Sequence, residues 1–159
     1  MTENANKFFS KFDIDFARHK PMWYGVEIEV PVAANGIGRG SISINNQPYL
    51  LYRITHQIIG ETVNWETTGL EQDGQYSITF RDENSNYQNQ PLPSEAFLGP
   101  CRSGHFLEFP IPIGYSGNRT LSFEVTNRYL RVLAGEEEYF TVAIVLAGIA
   151  DWGPLQSSR

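Results

Sequence analysis

The chain is short of several things that would announce a mechanism. It has one cysteine, Cys101, so no internal disulfide can form, and a lone thiol suits a reducing or redox-indifferent setting. As a nucleophile Cys101 would need a base that nothing nearby specifies, so it reads as a structural thiol. Its three histidines, His19, His56 and His105, are far apart and lack the local spacing of a zinc site. No apolar run approaches the ~20 residues of a membrane-spanning helix. MTENANKFFSKFD lacks the apolar stretch of an export signal, so the expectation is a chain assembled in a cytoplasm. Positive charge is scarce as well: twelve Lys and Arg face eighteen Asp and Glu, a net charge of −6. Nucleic acid is therefore not expected as the main partner, because phosphate neutralisation needs a basic face.

What is present is apolar and aromatic material in strand-like patterns. Hydrophobic residues make up 41% of 159 and aromatics 13%. A chain of this length buries roughly 70% of its unfolded surface as one domain. The expected organisation is an N-terminal arm over residues 1–22, a β domain over 23–154 and a tail over 155–159.

The arm has its own character. All three lysines, Lys7, Lys11 and Lys20, fall in it, giving residues 1–22 a net +1 against −7 for the remainder. Phe8, Phe12 and Phe16 recur every four residues with Phe9 beside them, which puts a phenyl stripe on one face of a helix from about Lys7 to Arg18. Pro21 is expected to stop it. Two placements stand open for Phe8, Phe9, Phe12 and Phe16 with Lys7 and Lys11: packing on their own domain, or filling a groove on another subunit.

From Met22 the texture is β. Val26, Ile28, Val30 and Val32 alternate with Glu27, Glu29 and Pro31. That is a strand with one buried and one solvated face, and the two glutamates on the wet side do not flank a substrate. Gly36-Ile37-Gly38-Arg39-Gly40 lacks the Lys-Ser/Thr pair and following helix of a phosphate loop and reads as a flexible turn. Gln47 to Gly60 reads as a long strand with His56 as a packing or hydrogen-bonded residue, and Gln75 to Asp82 as another, after an Asp73-Gly74 turn. Asp82, Asn84 and Asn86 begin a calcium-loop spacing, but Tyr87 and Pro93 stand where its glycine and bidentate glutamate belong. Ser94 is a plausible N-cap for one helical turn to Leu98.

The last third carries three β-prone runs. Pro110 and Pro112 within His105–Ile113 remove amide donors, so that strand should be an edge. In Thr120–Asn127, Leu121, Phe123 and Val125 oppose Ser122, Glu124 and Thr126. Tyr139–Leu146 is apolar at nearly every position and should be an interior strand covered on both faces. Six or seven strands at short spacing, with helix only at the end and in one loop, give an all-β class: an antiparallel, jelly-roll-like β-sandwich with a short N-terminal helical arm.

Phe109-Pro-Ile-Pro-Ile113, Gly114 to Asn127 and Thr141 to Gly148, with Tyr49–Thr55 and Asp73–Phe80 upstream, resemble a pattern in small jelly-roll virion structural proteins of tailed bacteriophages. The resemblance covers residues 24–152 and rests on loose β patterns; the arm lies outside it. It implies a non-catalytic capsid decoration or cement subunit, or an accessory neck or tail subunit, located in the virion. Its partners would be the major capsid protein or other virion subunits and further copies of itself in a trimer or ring, without nucleic acid, membrane, metal or cofactor. A second class is a carbohydrate- or receptor-binding module, for which Trp65 and Tyr87, with Trp23 and Trp152, are the aromatics to test as a platform. An enzyme would require scattered Asp, Glu and His to converge in the fold.

Overall fold

The computed structural model describes residues 18–59, 76–83, 85–99, 108–128 and 139–152. Among these described residues eight strands and one helical turn follow in order: β1 (His19–Pro31), β2 (Ile37–Ser43), β3 (Tyr49–Ile59), β4 (Tyr76–Asp82), β5 (Leu92–Pro93), α1 (Ser94–Leu98), β6 (Glu108–Tyr115), β7 (Thr120–Asn127) and β8 (Tyr139–Asp151). They form two four-stranded antiparallel sheets, sheet A in the order β1-β8-β3-β6 and sheet B in the order β2-β7-β4-β5. The chain is an all-β sandwich. The expected helical arm lies outside the described residues.

Alternation in sequence decides what each strand buries. On β1, Ile28 and Val30 are sealed while Glu27 and Glu29 stand exposed. On β7, Leu121, Phe123 and Val125 are sealed while Ser122, Glu124 and Thr126 are half-exposed. These inward rows meet Ile54 and Ile58 of β3, Ile78 and Phe80 of β4, and Val142, Ile144 and Leu146 of β8 in one core. Phe80 stacks on Phe123 at 5.1 Å between ring centres, an aromatic pair across β4 and β7.

Two expectations are corrected at the first corner. β1 begins at His19, so residues 19–22, assigned from sequence to the arm, pair with β8, from His19 opposite Asp151 to Met22 opposite Gly148. Pro21 is tolerated in this strand because β1 is the edge of sheet A. The glycine-rich stretch is also strand rather than flexible turn: Ile37 to Gly40 open β2. Its glycines serve close packing. A methyl group on Gly38 would sit 2.3 Å from the Glu29 carbonyl oxygen, and one on Gly40 would sit 2.7 Å from Ile28. Bare backbone on β2 is what lets β1 lie against it. The tight turn between them, where Asn35 takes a φ of 58°, is pinned by buried Asn127, whose side-chain amide donates to the carbonyls of Val32 at 3.0 Å and Ala33 at 3.3 Å.

The prolines of β6 do what their chemistry requires. Pro110 and Pro112 lie in the other edge strand of sheet A, where missing donors break no ladder. β8 lies between β1 and β3 and pairs with both along its length. Its inward residues are sealed, but the outward Thr141, Ala143 and Val145 are only half-buried. Among the described residues, the expected cover on both faces exists on one.

Candidate functional site

The sandwich offers two outward faces, and strand register states what each carries. On sheet B, Arg39 faces Glu124 across the β2–β7 pair and their side chains join, Nε to Oε2 at 2.9 Å. Ser41 stands opposite Ser122, and on the other flank of β7 Thr79 faces Glu124 and Arg81 faces Ser122. A shallow, polar depression of about 390 Å³ lies over these groups, and a second of about 370 Å³ continues from Arg81 to Asp82, Ser85 and Asn86. This is a hydroxyl-rich, charge-balanced surface suited to water.

Sheet A differs. The outward positions of β8 are Thr141, Ala143, Val145, Ala147 and Ile149, flanked by Trp23, Gly25, Glu27 and Glu29 on β1 and by Leu50, Arg53, Thr55 and Gln57 on β3, so an apolar row runs between mixed flanks. Trp23 is 57% exposed, too much for a packed indole. Where β1 and β8 end, a depression of about 450 Å³ opens over Leu50, Gly114 and Ile149, with His19 and Asp151 on its rim. Above Gly114 a side-chain β-carbon would meet no atom within 4 Å. The rim is held by charge: Arg18 donates to Asp151 through Nε at 2.9 Å and Nη2 at 2.7 Å, and His19 Nε2 lies 3.5 Å from the same carboxylate. Trp152, 53% exposed, donates its backbone N–H to the Arg18 carbonyl at 2.9 Å.

The residues singled out from sequence separate into groups. Lys7, Phe8, Phe9, Lys11, Phe12, Phe16 and Trp65 lie outside the described residues. Tyr87 is half-buried, its ring stacked on Phe80 at 4.7 Å and its hydroxyl donating to Asp82 Oδ2 at 2.8 Å. Burial holds the Tyr87 hydroxyl above the usual phenol range. One ring face and the hydroxyl are thus engaged within the fold. The other oxygen of Asp82 accepts the Ser85 N–H at 2.6 Å, so the residue that opened the calcium-like spacing ties its own loop. Glu27 and Glu29 are exposed, as a solvated strand face requires.

Among the described residues His56 is the one histidine in the core, and both ring nitrogens have partners. Nε2 lies 2.8 Å from the Gly99 carbonyl and Nδ1 lies 2.5 Å from the Tyr76 hydroxyl. A carbonyl can only accept, so Nε2 carries a proton, and in the neutral ring Nδ1 accepts the proton of Tyr76. Gly99 presents that carbonyl because α1 ends on it with φ 85°, a left-handed helix stop. The arrangement is a packing network.

Leu50, Gly114 and Ile149 were not singled out from sequence. β8 is apolar at both of its alternating sets, so the sequence alone carried no signal separating outward Val145 and Ile149 from inward Ile144 and Leu146. No protein-family model matches the chain, and no curated protein and no solved structure shows significant similarity to it.

Proposed function

We propose that this protein is a non-catalytic structural subunit that works through protein–protein contacts, a jelly roll of the kind that decorates or cements the capsid of a tailed bacteriophage. The observation that carries the reading is the contrast between the faces: sheet B is clothed in Ser, Thr, Arg and Glu, while sheet A presents an apolar row along β8 with exposed Trp23 beside it. A solvated sheet face does not need that row, and an exposed aromatic flanking small apolar residues is the composition of a protein contact. The strand orders β1-β8-β3-β6 and β2-β7-β4-β5 support the jelly-roll reading, since they follow from two Greek keys wound together over eight strands. The sequence resemblance to virion proteins supports the setting: a capsid or other particle subunit as partner, further copies in a trimer or ring, and a place in the virion.

The test is direct. Particles of a phage that encodes this chain contain it at a fixed ratio to the shell protein, and Trp23→Asp abolishes its addition to particles that lack it. Particles without the chain, or unchanged addition of the variant, overturn the proposal.

A second reading has its own observation, the polar depression over Arg39, Ser41, Thr79, Arg81 and Ser122. As a carbohydrate- or receptor-binding module the chain would engage a polar ligand there. A glycan array separates the readings: a hit lost in Arg81→Ala favours the module, and a blank array removes it.

A further inference from the structure

We propose that the apolar depression at the end of sheet A is the seat of the chain's own N-terminal segment, with the phenyl rings of Phe8, Phe12 and Phe16 lying over Leu50, Gly114 and Ile149. This goes beyond the functional reading above and does not depend on it.

Position is the first argument. Arg18 is fixed at the rim of the depression by its two-pronged pair with Asp151 and by the Trp152 N–H on its carbonyl, and the neighbouring His19 and Asp151 line the depression itself. Phe16 precedes Arg18 by two residues, so its α-carbon lies within about 7 Å of the rim. A segment tethered so closely meets its own face at an effective concentration in the ~mM range, before any neighbouring copy does.

Size is the second. The periodicity of residues 7–16 is helical, and ten helical residues extend about 15 Å. Four strands, from β1 to β6, span about 14 Å between the outer two. The depression holds about 450 Å³, and a dry protein cavity of roughly 150 Å³ accommodates one benzene, so about three rings fit. The phenyl stripe of Phe8, Phe12 and Phe16 has three.

Limited tryptic digestion of the full chain reads the docking, because cleavage after Lys7 and Lys11 needs a free segment. Gly114→Phe fills the depression where the structure leaves space, and Phe8→Ala/Phe12→Ala/Phe16→Ala removes the stripe. Both are expected to speed cleavage at Lys7 and Lys11 at least tenfold with the circular dichroism unchanged, while Gly114→Ala leaves it as in the parent. Should Gly114→Phe not fold, Leu50→Asp, outward on β3, replaces it. Cleavage that is unaffected by the depression variants overturns the proposal, even if the triple variant is cut faster, because the segment then docks elsewhere. Protection that fades on dilution also overturns it, since a second copy then supplies the segment.

Discussion

Arg18 and Asp151 clasp the start of β1 to the end of β8: Nε meets Oδ1 at 2.9 Å and Nη2 meets Oδ2 at 2.7 Å, closing a loop of 133 residues. The pair is partly shielded, with side chains 38% and 24% exposed, and its parallel geometry makes it stronger than an ordinary surface pair. Asp151→Asn keeps the shape and removes the charge. It should lower unfolding free energy by about 1 kcal/mol, measured by urea denaturation, with the loss shrinking in high salt. An unchanged midpoint would show that the clasp contributes nothing measurable.

Tyr76 and His56 form a buried pair whose rings also meet edge to face at 5.5 Å. Tyr76→Phe retains the ring and deletes the proton donated to Nδ1. Removing one partner of a buried hydrogen bond costs about 1–3 kcal/mol, so the variant should melt several degrees lower. A thermal melt that matches the parent would mean that water replaces the hydroxyl.

Gly38 and Gly114 should respond oppositely to the same substitution. Gly38→Ala forces a methyl onto the Glu29 carbonyl and Ile28, and separating β2 from β1 to admit it should cost about 3 kcal/mol. Gly114→Ala meets nothing within 4 Å and should leave stability within about 0.5 kcal/mol of the parent. Chemical denaturation of the two variants side by side decides this, and equal losses would contradict the packing account of the glycine strand.

Alkaline pH should unfold the protein through its tyrosines. Burial pushes the Tyr49 hydroxyl, which donates to the Met22 carbonyl at 3.0 Å, well above the ordinary phenol value, with Tyr24 and Tyr52 adding to the shift. Burial does the same to Tyr115, helped by Tyr87 and Asp82. Both pKa values are raised in the fold, so their stabilisation is complete below the unfolded value of about 10 and is lost as pH rises above it. Each such tyrosine should remove about 1.4 kcal/mol per pH unit in that range. Tyr49→Phe should flatten the decline in a pH series of urea midpoints, and an equal slope would refute the assignment.

The strands were legible where one periodic face meets water. Thr120–Asn127 was read to the residue because every second side chain is apolar, and the edge position of Pro110 and Pro112 followed from their missing donors. Ser94–Leu98 was legible as a helical turn from its capping serine. Gly36 to Gly40 was misread because glycine weakens a strand by local propensity, and only the approach of Ile28 and Glu29 explains why side chains are excluded there. The candidate site was less legible. Leu50, Gly114 and Ile149 are 99 residues apart from first to last and meet only through the pairing of β3 with β6 and β8.

Alone, then, the sequence determined the β class, the inward rows and the edge prolines, because each depends on residues a few positions apart. Tertiary structure decided which strands lie side by side, and with that the difference between a polar outer face and one crossed by an apolar row. A row such as Val145 and Ile149 looks like core in any single strand. Whether it faces a second layer depends on partners distant in the chain, which local periodicity does not encode.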